Sequence, residues 1–245
     1  MMRVLFFVLL LAPMPLWSGE YTASVYMRGD GELGLLTPLR VGLGKDMEMQ
    51  LRVPWVLALP HVGVKKQWYA AGRYQFASLH SLGYPTWFMA LFSRAGTGGL
   101  LPAHVVPGQR LSLHNRLLWT QNYAGYDATL YAGAFHTLGA RRDDAPTIDY
   151  PFFYSRMASW YTGFSFYGGM HVRAALSSMW KLSLNLQRHH MPGFDRDFAW
   201  EQTLLLHYLP GKQWAWASGV EAVYGRYPFG RDTHLYPLLN VRWRW

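Results

Sequence analysis

The sequence predicts an all-β protein, a closed antiparallel transmembrane barrel of about twelve strands, with ten the alternative count. Three observations carry that prediction. Apolar and polar residues alternate strictly in segments spread along the chain. Aromatic residues make up 17% of it, with 12 Trp and 16 Tyr, while charged residues make up only 15%. The mean hydropathy is nevertheless −0.05, and no run after residue 18 is long and apolar enough for a membrane-spanning helix. Many aromatics at near-zero mean hydropathy are what results when one face of each strand meets lipid and the other a polar lumen, with Trp and Tyr gathered at the two interfaces. The chain has no cysteine, so it has no disulfide framework. A barrel needs none, because it closes its own hydrogen-bond ladder.

From the N-terminus, Met1 to Leu11 carries one early positive charge, Arg3, and then an unbroken apolar run, followed by Ala12, Pro13, Pro15, Ser18 and Gly19. A basic start, a short apolar core and then small and helix-breaking residues predict a secretory signal over 1–18, leaving 19–245 as one barrel domain. Strands are expected at 21–28, 32–44, 46–58, 62–79, 85–94, 109–122, 125–138, 157–169, 172–188, 197–209, 213–226 and 234–245. The clearest are Met47 to Trp55, where Met47, Met49, Leu51, Val53 and Trp55 oppose Glu48, Gln50 and Arg52, and Trp180 to Gln187, where Trp180, Leu182, Leu184 and Leu186 oppose Lys181, Ser183, Asn185 and Gln187. Gly44-Lys45-Asp46, Asn122 to Gly125, Gly168-Gly169 and Pro210-Gly211-Lys212 read as turns. Counted back from the C-terminus, long and tight connections alternate, as they do in barrels with long loops on one side of the membrane and short turns on the other. The parity weakens towards the N-terminus. The run 62–79 is long enough to be broken, which is the origin of the alternative count. Pro38, Pro54 and Pro237 fall within expected strands, where a closed ladder tolerates them only at bulges or ends.

The last twelve residues, HLYPLLNVRWRW, are the most telling. Trp245, Trp243, Val241, Leu239, Pro237 and Leu235 share one face; Arg244, Arg242, Asn240, Leu238 and Tyr236 share the other. This segment resembles the terminal strand of bacterial outer-membrane β-barrel proteins, whose last residue is typically aromatic with apolar residues at alternate positions before it. The resemblance implies localisation in the bacterial outer membrane and an assembly signal at Trp243 and Trp245 that is read by the barrel-assembly machinery. It also implies contact with outer-membrane lipid and lipopolysaccharide, and a monomeric barrel.

The alternation turns Arg40, Glu48, Arg52, His114, Arg116, Asp127, Glu201, Glu221, Arg242 and Arg244 towards the lumen. With a net charge of +9, a continuous water path would favour anions. Alternatively the same groups pair across a narrow barrel and plug it. The expected function is therefore non-enzymatic: a small, anion-leaning porin-like channel or a structural and surface barrel. A second class is an outer-membrane hydrolase. Outer-membrane phospholipases and lipid A deacylases place a His two residues before a nucleophilic Ser, a spacing that His80-Ser81 and His114-Asn115 do not reproduce. The nearest match to a protease-like rim is His189, His190, Asp195 and Asp197, two bases and two acids within ten residues; the simpler account is a solvated polar loop. No GxSxG, HExxH or P-loop occurs, and no cofactor or metal is expected. Nucleic-acid binding is excluded despite an isoelectric point near 9.8, because the basic residues are scattered singly and form no patch.

Overall fold

The computed structural model describes residues 21–35, 37–53, 59–92, 107–139, 151–192, 197–227 and 230–245. Twelve antiparallel strands close into a barrel in which each strand pairs with its neighbours in sequence and β1 pairs with β12. The first three are short: β1 Gly31–Gly34, β2 Leu39–Gly42 and β3 Met47–Leu51. Then come β4 His61–Ala71, β5 Tyr74–Gly83, β6 Leu111–Tyr123, β7 Tyr126–Leu138, β8 Phe164–Ala175, β9 Trp180–Met191, β10 Asp197–Tyr208, β11 Trp214–Tyr227 and β12 Gly230–Arg244. Among the described residues two helices interrupt them, α1 Pro85–Phe92 and α2 Pro151–Thr162. Closure joins the first strand to the last, so the long strands β4 to β11 have a hydrogen-bonded neighbour on each side, whereas β1, β2 and β3, of 4, 4 and 5 residues, line only part of the height of the wall.

The exterior is apolar because the pleat alternates. Leu113, Leu117, Leu130, Leu182, Leu184, Leu204, Leu206, Val220, Leu235 and Leu239 are all exposed, and their lumen-facing neighbours are buried or half-buried. At the end where the chain terminates, aromatic rings form a girdle: Trp243 stands against Trp245 at 5.0 Å, Trp180 against Tyr208 at 4.8 Å, Tyr123 against Tyr126 at 4.4 Å and Trp119 against Tyr74 at 6.4 Å. A sparser ring at the opposite end contains Phe164, Phe166 and the Phe198–Tyr224 pair. An apolar band between two aromatic girdles is the profile of a barrel made for a bilayer.

The C-terminal end has the tighter turns. Gly72 (φ 55°) and Gly125 (φ 94°) take the left-handed conformation that two-residue hairpins require. Both helices lie at the other end, within the longer connections.

The total of twelve agrees with expectation, but only through compensating differences. The expected strand 32–44 is the β1–β2 hairpin, and 62–79 breaks at Gly72 into β4 and β5. In exchange, 21–28 is not a strand: its first part runs inside the barrel, with Tyr21, Thr22 and Ala23 buried, and it leaves at Met27, which is exposed. Nor is 85–94, whose first part is α1. The expected strand 157–169 divides between α2 and β8, so Gly168-Gly169 lies within a strand and the turn falls at 176–179. The missed helix signal is punctuation. Pro85 and Pro151 stand at first helical positions, where the fixed φ of proline suits a helix and its absent N–H costs nothing. Gly163 closes α2 in the left-handed conformation (φ 83°), its N–H bonded to the Ser159 carbonyl at 2.8 Å.

The prolines also find their places. Pro38 lies in the turn before β2, and Pro54 lies outside the described residues, as do the expected signal segment and Asp195. Pro237 sits inside β12 opposite Val220 of β11. The Arg244 N–H points to β11, where it meets the Gln213 carbonyl, whereas the Trp245 N–H and the Val241 carbonyl point to β1. By alternation Pro237 also faces the β1 side, where the short β1 does not reach, so its missing N–H breaks no bond.

Candidate functional site

Of the ten positions expected to face the lumen, Arg40, Glu48, Arg116, Glu201, Glu221 and Arg242 are buried, His114, Asp127 and Arg244 are half-buried on strands, and Arg52 is half-buried just after β3; they do not form a column along an open path. Two pieces of chain enter the barrel and divide them. Residues 21–28 come in from the C-terminal end, and α2 folds in from the other.

At the C-terminal end, Arg40 on β2 grips Glu48 on β3 through Nε (2.7 Å) and an amino nitrogen (2.8 Å) and reaches Glu32 on β1 at 3.2 Å. Glu32 also faces Arg244 at 3.3 Å and Arg242 at 3.8 Å. Glu48 accepts a further bond from Gln50 at 2.8 Å and from the Tyr26 backbone N–H at 3.2 Å. The Lys65 ammonium donates to the Ser24 carbonyl at 2.6 Å, so strand charges hold the N-terminal segment in place. Asp127 on β7 is taken up by Arg173 on β8 at 2.7 Å. The Thr22, Ser24, Tyr26, Glu32, Arg40, Arg173, Arg242 and Arg244 side chains bound a cavity of about 160 Å³.

At mid-height lies an aromatic layer. The Arg116 guanidinium sits among Tyr21, Tyr131 and Tyr167, at 5.4, 5.8 and 5.4 Å from the ring centres, a cation–π arrangement strengthened by desolvation. Arg116 Nε donates to the Tyr167 hydroxyl at 2.6 Å. The Tyr131 hydroxyl donates to Asn185 at 2.8 Å, and Asn185 donates to Tyr21 at 3.2 Å. Glycines make room for two of these rings. Tyr131 pairs in register with Gly169, and Tyr167 with Gly133; a Cβ at either glycine would collide with the facing tyrosine.

Above this layer α2 is bolted to the wall. Arg156 forms a two-point bond with Glu201 on β10, 2.6 Å at each amino nitrogen, and approaches Glu221 on β11 at 3.8 Å. Ser155 donates to Glu201 at 2.9 Å, and Ser159 lies 3.1 Å from the Thr137 hydroxyl. Ser155, Ala158 and Ser159 are fully buried, small enough for the helix to fit the lumen. Arg156 and Ser155 fall in the stretch 139–156 between two expected strands, where alternation assigns no face; the signal available is Pro151 with Gly163.

A second cavity, of about 130 Å³, lies beside the helix. Arg52, His61, Ser81, His114, Phe135, Arg156, Trp160 and His189 contribute to its walls. Here the Ser81 hydroxyl lies 3.3 Å from His114 Nδ1, and His114 Nε2 lies 2.5 Å from the Tyr167 hydroxyl. Because Arg116 donates into that oxygen, the phenol proton is directed at Nε2. The neutral ring then carries its own proton on Nδ1 and donates to Ser81. A general base for a serine nucleophile needs the reverse.

Of the four rim residues, the described side chains are those of His189 and His190, and these two face opposite sides of the wall. His189 is buried in the lumen, 3.3 Å from Glu201 and 2.6 Å from the Gln187 amide. His190, one residue on, faces outward against Phe166. Asp195 and the side chain of Asp197 lie outside the described residues. Among the described residues no group of three or more His, Cys, Asp or Glu side chains is arranged to hold a metal. Trp243 and Trp245 both stand on the outer face.

No protein-family model matches the chain, and no curated protein matches it. Among solved structures, the outer membrane channel DcaP of Acinetobacter baumannii superposes with a TM-score of 0.36 and 10% identity, over 84% of this chain and 60% of that one. The chain therefore spans less than two thirds of that protein's length.

Proposed function

We propose that this protein is a porin-like barrel of the bacterial outer membrane whose lumen is held shut at rest by α2 and residues 21–28, and whose path favours small anions when the helix moves. Support for the membrane location is the apolar band between aromatic girdles, together with the terminal strand and the leader-like start of the sequence. Lipid and lipopolysaccharide would cover the band, and Trp243 and Trp245 would present the assembly signal on the outer face.

The observation that carries the closed state is the two-point bond between Arg156 and Glu201. It ties a buried helix to the wall in the middle of what would be the path. Support for anion preference is the charge of the lining: Arg40, Arg52, Arg116, Arg156, Arg173, Arg242 and Arg244 against Glu32, Glu48, Asp127, Glu201 and Glu221. One unpaired cation about 4 Å from a passing ion is worth about 4 kcal/mol at an effective dielectric of about 20, enough to set selectivity. For the hydrolase alternative, the opposed directions of His189 and His190 and the proton placement on His114 offer no support.

Single-channel recording in planar bilayers tests this reading. The wild type should be closed for most of the record, and Arg156→Gln should open far more often, with a reversal potential on the anion side. A wild type that conducts steadily, or an open Arg156→Gln barrel that prefers cations, would overturn it.

A further inference from the structure

We propose that the cavity at the C-terminal end of the lumen, bounded by Arg40, Arg173, Arg242 and Arg244, is a binding site for a small oxyanion such as phosphate. The proposal deepens the anion-leaning reading but rests on its own observation, a local shortage of negative charge. Among the described residues Glu32 is the one carboxylate on the cavity wall, and three arginines converge on it: Arg40 at 3.2 Å, Arg244 at 3.3 Å and Arg242 at 3.8 Å. Arg40 is satisfied by Glu48, and Arg173 by Asp127. Arg242 is not.

Arg242 is 4% exposed. Its nearest carboxylate oxygen lies beyond hydrogen-bond distance, and one amino nitrogen has only the His207 ring nitrogen at 3.3 Å. Its Nε is buried with no acceptor. A buried guanidinium presents five donors, and an unmet buried charge is costly. An oxyanion in the cavity supplies the missing acceptors. A phosphate has several oxygens to share between Arg242 and Arg244, and guanidinium–phosphate pairs form paired, charge-assisted bonds.

The size also fits. About 160 Å³ is on the order of ten water positions, since one water needs about 10–15 Å³ of such space. A tetrahedral anion is accommodated with part of its hydration. Side chains at one boundary remain partly open, 33% for Arg244 and 27% for Arg173, so a ligand can enter from the C-terminal end without passing α2. Chloride can sit between two guanidinium groups but, as one atom, does not offer each fork a pair of acceptors as a phosphate does.

Calorimetric titration of the refolded full-length barrel in detergent, at fixed ionic strength set with chloride, tests the site. Inorganic phosphate and a sugar phosphomonoester form separate arms. Saturable binding of phosphate alone supports a site for the free ion. Binding of the ester at equal or greater strength supports the phosphate end of a larger molecule. Arg242→Gln should weaken either by tenfold or more. Arg244→Gln, at a more open position, should weaken it several-fold while keeping heat-modifiable gel migration, so the test survives if Arg242→Gln fails to fold. No saturable heat at millimolar phosphate, or unchanged affinity in folded Arg244→Gln, would overturn the proposal. Binding in a barrel that never conducts would overturn the channel reading and leave this site standing.

Discussion

Glu201 and Glu221 stand on adjacent strands, two residues apart in register, and share one cation. Arg156 bonds Glu201 at 2.6 Å through both amino nitrogens but stays 3.8 Å from Glu221. Removing Glu201 leaves a guanidinium buried against a poor partner, whereas neutralising Glu221 relieves the crowding of two acids on one base. Glu201→Ala should therefore lower stability by about 3–5 kcal/mol. Glu221→Gln should be neutral or slightly stabilising. Thermal unfolding followed by the loss of the fast-migrating gel band checks both, and equal losses would show that Arg156 depends on the two acids alike. Gly133 and Gly169 make a second residue-scale case. Each lies under a tyrosine of the mid-height layer, so Gly169→Ala must displace Tyr131 or the strand, at about 1–3 kcal/mol for overpacking. An alanine here at no cost would mean the layer is loose.

At the scale of elements, α2 is the part that local sequence rules describe least well by composition and best by punctuation. It has no amphipathic stripe, because every described side chain from Tyr154 to Tyr161 is buried; a helix enclosed on all sides has no solvent face to reveal its period. Its limits are fixed by Pro151 and by Gly163 at φ 83°. A β-branched residue cannot hold that conformation without strain, so Gly163→Val should cost about 1–2 kcal/mol or more. Because α2 is the plug, the same change should raise the open probability in bilayers. Destabilisation with no gating effect would separate the cap from the closure. Among the strands, β1 to β3 are the weak seam. The β1–β12 register covers Glu32, Leu33 and Gly34, extended by backbone bonds of Gly31 with Trp245 and of Leu35 with Val241, while β11 and β12 run in register from Trp214–Trp243 to Tyr227–Gly230. The side chains around Glu32 take over where the ladder is short. Amide hydrogen exchange in detergent should open β1 to β3 first, and Glu32→Gln should accelerate that opening selectively. Uniform exchange around the barrel would show that closure does not depend on this cluster.

For the whole molecule, closure and girdles predict behaviour that needs no knowledge of the lumen. The purified protein should require detergent, give a β-rich circular dichroism spectrum and migrate faster on gels before heating than after, since strands hydrogen-bonded around the barrel unfold together and not one by one. A helical spectrum or solubility without detergent would contradict it. Trp245 and Trp243 lie side by side on the outer face, ring centres 5.0 Å apart and tilted at 36°. Deleting Trp245 should thus lower the amount assembled in the outer membrane far more than it lowers the stability of protein refolded in vitro. Equal losses would make the residue structural and not a signal.

The sequence by itself determined the class, the inner and outer faces, and most of the strands from β6 onward. A period of two and a lipid-facing band are local facts, so Arg40, Glu48, Arg116, Glu201, Glu221 and Arg242 were legible as lumen residues from alternation alone. It also gave the right strand total for partly wrong reasons. Alternation does not distinguish a long strand from a hairpin with a two-residue turn, nor an apolar strand from a helix buried on all sides. Only the tertiary structure decided what those inward residues do. Whether an arginine lines a path or locks a plug depends on what else enters the lumen, and residues 21–28 and α2 enter from regions whose own patterns resembled strand and loop. Partners such as Arg156 with Glu201, or Lys65 with Ser24, lie 45 and 41 residues apart. Pairing across such distances is set by closure of the barrel, which no local period encodes.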